Sequence, residues 1–159
     1  MTGRRVLDLG AGSGLVAIAA AKAGAHAVIA SEVDPYAIAA LRLNAAANGV
    51  AIEAALGDLT AGPPPAVDLV AVGDLFYDRD LAGRVTAFLD RCRAAGIEAL
   101  IGDPWRAFLP RARLRLIAEY DVADFGRAES AATTPSAVFA FGPAAAATPD
   151  LVAGDARAY

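Results

Sequence analysis

The sequence predicts an α/β fold in which a mostly parallel sheet carries helices on both faces. Three observations point there. Short apolar runs alternate with helix-length patterns through most of the chain, as successive β–α–β units require. The first apolar run ends in an acid and leads through Gly10, Gly12 and Gly14 into a helical stretch. Two later helical patterns are each followed by a glycine, Gly49 and Gly96, the residue that most readily closes a helix end. With 159 residues, the chain is one domain, long enough to bury a core without metal or disulfide staples.

Element by element, Arg5 to Leu9 reads as the first strand and Ser13 to Ala23 as a helix of small aliphatic residues stopped by Gly24. Ala27 to Ser31 is a second strand. Asp34 then stands as N-cap with Pro35 at the first helical position, opening a helix to about Asn48. Val50 to Ala55 predicts a third strand, Gly62 to Pro65 a rigid loop, and Val67 to Val72 a strongly apolar fourth strand. A helix is expected from Asp80 to Ala95 and a fifth strand from Ile97 to Ile101. Pro110 is read as starting a short helix through Ala118. Tyr120 to Phe125 and Ala137 to Phe141 suit two closing strands as an antiparallel pair. The domain is expected to span 1–142, and the alanine-rich stretch 143–159 is expected to be a mobile tail.

Composition narrows the function. The 57% hydrophobic content is largely alanine, and the apolar region from Gly14 to Ser31 is broken by Lys22, Gly24 and His26, so a membrane span is not expected. The start, Met1 to Arg5, lacks signal-peptide architecture, and a cytoplasmic protein is the expectation. Cys92 is the single cysteine, which excludes an internal disulfide and a cysteine-based metal site; no metal site is expected. A net charge of −4 argues against a nucleic-acid partner. Arg106, Arg111, Arg113 and Arg115 form a local basic group, read as a solvated helix start.

The chemistry begins at Asp8-Leu9-Gly10-Ala11-Gly12-Ser13-Gly14. Alternate glycines let the backbone turn sharply and lie against a ligand. A dinucleotide loop would have its third glycine at position 15, where this chain has Leu15, and an acid before the loop repels a diphosphate. Asp8 instead suits a ligand bearing an amine and a sulfonium, which favours S-adenosylmethionine, held by Asp8, Gly10, Ala11, Gly12 and Gly14. Glu32 ends the second strand about twenty positions on, the spacing at which an acid binds ribose hydroxyls. Val33 is placed to pack on adenine, while Asp34 is read as a helix cap. Asp58 and Leu59, after the third strand, either contact the adenine or form an ordinary turn. All these groups fall at carboxyl ends of parallel strands, where open α/β sheets bind ligands.

The fourth strand ends in Gly73-Asp74-Leu75-Phe76-Tyr77-Asp78. A base methyltransferase would carry prolines there, so base methylation is disfavoured. A carboxylate and a phenol suit an amine acceptor. Lysine must lose a proton before attack, at roughly 4 kcal/mol near neutral pH for a reference pKa near 10.4. Asp74 can stabilise the cation that builds on nitrogen, and Tyr77 offers an aromatic face. A tension remains, because Asp74 also favours the unreactive ammonium. Phe76 is read as core. Asp103 and Arg106, after the fifth strand, either wall the substrate pocket or pair within their loop.

Together, Val6–Gly14, Gly73–Asp78, Ile101-Gly102-Asp103-Pro104 with Arg106, and Thr134–Val138 resemble class I S-adenosylmethionine-dependent methyltransferases. Within them, the chain is most similar to the enzymes that methylate lysine on the beta subunit of electron-transfer flavoprotein, whose bacterial members are often labelled nicotinamide N-methyltransferase-like. The resemblance runs from about Arg4 to Gly142. It implies a Rossmann-like, seven-stranded sheet in the order 3-2-1-4-5-7-6 and a target lysine held by Asp74 and Tyr77. Family members carry a segment before the first strand that helps cover the donor, and the expectation here is that this segment is absent. The reading is a protein-lysine N-methyltransferase acting on that beta subunit. The alternatives are a small-molecule or other N-methyltransferase, or a donor-binding module inactive through truncation.

Overall fold

The computed structural model describes residues 1–123 and 133–143. Seven strands form one sheet in the order β3-β2-β1-β4-β5-β7-β6: β1 (Arg5–Leu9), β2 (Ala27–Glu32), β3 (Glu53–Leu56), β4 (Leu69–Gly73), β5 (Glu98–Asp103), β6 (Leu114–Ala123) and β7 (Thr133–Phe141). The first five are parallel, and β7 runs antiparallel between β5 and β6. This is the strand order the resemblance implied.

Strand β1 lies inside the sheet between β2 and β4, and both faces of the sheet around it are covered. On one face α1 (Leu15–Lys22) and α2 (Pro35–Ala47) pack through Ala17, Ala20 and Leu41 against Val6, Val28, Ala30 and Leu69. On the other, α3 (Arg79–Ala94) buries Val85, Phe88, Leu89 and Cys92 against Leu7, Leu9, Val70, Val72 and Ile101. Alternation along β1 therefore sends Leu7 and Leu9 to the α3 face and leaves Asp8 on the face of Val6. Each large side chain buried here stabilises the fold by about 1.5–3 kcal/mol.

The caps explain the helix starts. Asp34 accepts from the Tyr36 amide at 2.8 Å, with Pro35 at the first helical position, as expected. For α3 the cap is Asp78, whose Oδ1 accepts from Leu81 N at 2.9 Å, so the helix begins slightly before the expected Asp80. Phe76 is fully buried core.

One element was misread from sequence. No helix runs from Pro110 to Ala118: a single 3₁₀ turn at Arg111–Arg113 is followed directly by β6, which pairs with β7 from Leu114↔Phe141 to Ala123↔Thr133. The long antiparallel ladder outweighs the weak start signal of Pro110, and β6 accommodates the register with an irregularity between Leu116 and Ala118. Pro135 is tolerated because β7 pairs with β5 only from Ala137 to Ala140. The part of the expected Tyr120–Phe125 strand beyond Ala123, and the expected tail beyond residue 143, lie outside the described residues. Among the described residues no helix is long and apolar enough to cross a membrane.

Candidate active site

The glycine loop leaves the end of β1, between β2 and β4 in the sheet. Gly10, Gly12 and Gly14 have φ of 67°, 52° and 89°, the left-handed region in which a side chain is strained by roughly 1–2 kcal/mol. Three of the loop amides are already used. Ala11 N donates to Ser31 O at 2.9 Å, Gly14 N to Ala11 O at 2.8 Å, and Gly12 N to Glu32 Oε2 at 2.9 Å. A pyrophosphate would need such amides free and no carboxylate beside them, so the geometry speaks against a dinucleotide.

Asp8 lies beneath this loop, 1% exposed, with Oδ2 accepting from Ala17 N of α1 at 2.8 Å. Burial pushes its carboxyl up to about 6, against the Ala17 hydrogen bond and with help from the charge of Glu32. Asp8 thus anchors α1 under the loop, and it does not line the pocket that opens beside that loop.

A pocket of about 250 Å³ opens at the carboxyl ends of β1 to β4. Of the residues expected to bind a cofactor, Gly10, Glu32, Val33, Asp58 and Leu59 line it, and Tyr77 joins them from the fourth-strand loop. Ala11, Gly12 and Gly14 shape the loop without lining this pocket. Glu32 is held open toward it by three amides: Gly12 on Oε2, and Val33 (2.7 Å) and Asp34 (3.2 Å) on Oε1. Asp58 caps the 3₁₀ turn Leu59–Ala61, accepting from the Thr60 hydroxyl (2.6 Å) and amide (2.8 Å), which hold its carboxyl below the usual range. Ser31 Oγ donates to Gly57 O and Gly57 N to Glu32 O, tying the ends of β2 and β3 together. Sequence reasoning missed Thr60, Leu75 and Arg84 in the lining. Leu75 lay within the quoted Asp74–Tyr77 motif; Arg84 approaches Asp58 from inside α3, at 3.8 Å, and nothing in the sequence marks that contact.

A second cluster stands at the ends of β4 and β5. Asp74 has φ 54° and Trp105 φ 64°, the two non-glycine residues in the left-handed region among those described; such strain concentrates at functional sites. Arg106 grips Asp74 with two bonds, Nε to Oδ1 at 2.6 Å and Nη2 to Oδ2 at 2.8 Å, both side chains about half exposed. The Arg106 amide donates to Asp103 Oδ1 at 2.6 Å. Asp103 is 2% exposed, its Oδ2 has no partner among the described residues, and burial together with the Asp74 charge raises its carboxyl above the usual range. Asp74 N donates to Gly102 O, and Phe108 N to Phe76 O, lacing the two loops together.

The arginine group does not form one patch. Arg106 pairs with Asp74, Arg113 with Asp90, and Arg111 lies over the Trp105 ring at 5.4 Å. The site therefore presents carboxylates and one carboxylate-paired guanidinium around a nucleoside-sized hollow, with a clamped carboxylate and an exposed phenol next to it. Such a lining can accept hydrogen bonds from hydroxyls and amines and can favour a cationic ligand.

The family model described as ribosomal protein L11 methyltransferase (PrmA) matches residues 1–71. The chain is 36% identical over 145 residues to the electron transfer flavoprotein beta subunit lysine methyltransferase of Danio rerio, covering 87% of this chain and 56% of that protein. It is 39% identical over 147 residues to the Xenopus laevis protein of the same name, covering 89% and 60%. The chain thus spans little more than half the length of these relatives. Among solved structures it superposes on the ribosomal protein L11 methylase of Lactobacillus delbrueckii subsp. bulgaricus with a TM-score of 0.56 at 21% identity, covering 88% of this chain and 70% of that one. The m1A22 tRNA methyltransferase of B. subtilis gives 0.58 at 15% identity, over 89% and 61%. At these identities the likeness is one of fold, the Rossmann-like fold of methyltransferases.

Proposed function

The chain has a methyltransferase fold and aligns along most of its length with electron-transfer flavoprotein beta subunit lysine methyltransferases, and from that premise we propose that it is an S-adenosylmethionine-dependent protein-lysine N-methyltransferase acting on that beta subunit. The observation that carries the donor assignment is the acidic, amide-poor pocket. Glu32 and Asp58 offer acceptors to ribose hydroxyls and an adenine amine, Val33 and Leu59 offer apolar flanks, and the Gly12 amide is occupied by Glu32. Its volume, about 250 Å³, falls below the usual ~300–1,000 Å³ of whole-ligand sites, so it suits the nucleoside half, with the amino-acid half following the loop above Asp8. When bound, the donor supplies an electrophilic methyl group on a sulfonium centre.

The chain's own residues do the rest. Asp74 and Tyr77 would orient the acceptor amine, Asp74 by accepting its N–H and Tyr77 through its ring face and hydroxyl, with Asp103 and Arg106 forming the adjoining wall. The test is direct: incubate the chain with methyl-labelled donor and recombinant electron-transfer flavoprotein, then map label by peptide mass spectrometry. Label on lysines of the beta subunit is the expected result. Calorimetric donor binding without label on that subunit would overturn the substrate, and absence of donor binding would overturn the cofactor.

A further inference from the structure

Both oxygens of Asp74 are engaged by one guanidinium, in the fork-on-fork geometry that gives an arginine–carboxylate pair its direction as well as its strength. That guanidinium is not a loose surface side chain. Its backbone is latched by Asp103 Oδ1, it follows Trp105 in a strained left-handed conformation, and Trp105 is itself wedged edge-on against Phe139 with ring centroids 4.9 Å apart. On the other side Asp74 is strained as well and pinned by its amide to Gly102. Two strained residues just past the ends of neighbouring strands thus serve to bring one carboxylate and one guanidinium into register at the mouth of the site.

A bare carboxylate here would work against the chemistry, because an opposite charge a few ångströms from a lysine holds it as ammonium, and ammonium has no lone pair with which to attack. We propose that Arg106 is the permanent counter-ion of Asp74, so that the acceptor lysine docks against a neutral pair and sheds its proton to solvent as it does so. This rests on the reading of Asp74 as the acceptor-facing group. Arginine fits the role better than lysine, since guanidinium stays charged at any working pH and carries the fork that matches a carboxylate. A carboxylate has about four lone-pair sites, so Asp74 can still accept an N–H from the incoming amine while Arg106 holds the other positions. The guanidinium also presents like charge to an ammonium, which adds to the pressure toward the free amine.

The remaining charges around the pair do not cancel this effect. Asp103 sits behind Arg106 on β5 and is buried; Asp78 at the start of α3 is committed to capping Leu81 N. Asp80 lies in the first turn of α3. Arg79 and Arg111 rest over the rings of Phe108 and Trp105, at 5.1 and 5.4 Å, and Tyr77 stands exposed beside the pocket.

The experiment compares the full chain with its Arg106→Gln and Arg106→Lys variants, using electron-transfer flavoprotein as the acceptor. Methylation rates are measured as kcat/KM from pH 6.5 to 10, and acceptor binding is followed by calorimetry at pH 8 in two buffers of different ionisation enthalpy. Arg106→Gln should lose roughly tenfold in kcat/KM at pH 7.5, regain it toward pH 10, and bind the acceptor without the proton release seen in the parent chain; one unit in the acceptor pKa corresponds to that tenfold. Arg106→Lys should restore part of the parent profile. A loss equal at every pH, or unchanged proton release, would overturn the proposal and leave Arg106 a simple clamp. If the parent chain binds donor but treats a lysine-to-methionine acceptor like the native one, the lysine-acceptor reading itself fails and takes this proposal with it. Donor affinity, measured in parallel, separates either result from misfolding.

Discussion

The Gly12 amide donates to Glu32 Oε2 at 2.9 Å, closing the glycine loop onto the end of β2. One carboxylate thereby both sets the loop and faces the pocket, since its other oxygen is held by the amides of Val33 and Asp34. Glu32→Gln keeps the size but replaces one acceptor oxygen by an NH₂ that cannot take an amide proton. Stability should fall by about 1 kcal/mol for the lost bond, and S-adenosylmethionine affinity by roughly tenfold or more, as charge-assisted bonds to hydroxyls weaken. Calorimetry with the donor checks this; an unchanged Kd would reduce Glu32 to a structural tie.

Asp8 sets stability against function. Its carboxyl is raised by burial to about 6 in the folded chain, above its unfolded value, so the folded state binds this proton more tightly. Its contribution to stability is therefore full below about pH 4 and is lost as the pH rises to about 6, on the order of 3 kcal/mol in all. Asp8→Asn keeps an oxygen for Ala17 N and has no charge to bury. The variant should be more stable than the parent at pH 7.5, gain nothing at pH 4, and bind the donor more weakly. Urea midpoints across that range, with and without donor, read all three outcomes.

Gly10→Ala tests the floor of the pocket. A methyl at Gly10 would come within 2.7 Å of both Leu75 Cδ atoms, at a φ of 67°. Leu75 lines the pocket, so its displacement takes up ligand space. Expected are a stability loss of about 1–2 kcal/mol from the backbone alone and at least a tenfold loss of donor affinity. Normal affinity in the variant would show that Leu75 yields away from the ligand.

The glycine loop and the acids at strand ends were legible because each follows from a local rule, whereas the strand order came only through the family resemblance. A strand that ends in Asp8, glycines at alternate positions and an acid after the next strand need no long-range information. The cap at Asp34 was equally local. What could not be read was pairing across distance. The strand from Leu114 emerges only once it meets β7, and Arg84 meets Asp58 only when α3 packs beneath the third-strand loop. Arg106 was singled out, yet its partner Asp74 lies far off in sequence and the two meet only through the pairing of β4 with β5.

At the acceptor side, Asp74→Asn should leave donor binding intact and lower kcat/KM by roughly a hundredfold, the scale of losing one preorganised polar group aimed at the reacting centre. Tyr77→Phe, which keeps the ring face, should stay within a few-fold, whereas Tyr77→Ala should lose about tenfold. Steady-state kinetics on the flavoprotein substrate decide. Equal activity of Asp74→Asn and the parent would remove Asp74 from the acceptor site.

The last strand of the sheet is not its edge. Because β7 inserts between β5 and β6, Ile101 and Gly102 gain their second neighbour, and Trp105 its contact with Phe139, only when residues 133–141 have emerged from the ribosome. The residues that frame the nucleoside hollow all come earlier in the chain, none later than Val85. A growing chain therefore completes one half of its site before the other. A nascent chain arrested just short of β7 would hold the loop that bears Arg106 without its final brace and leave the outer edge of β5 open to wrong partners.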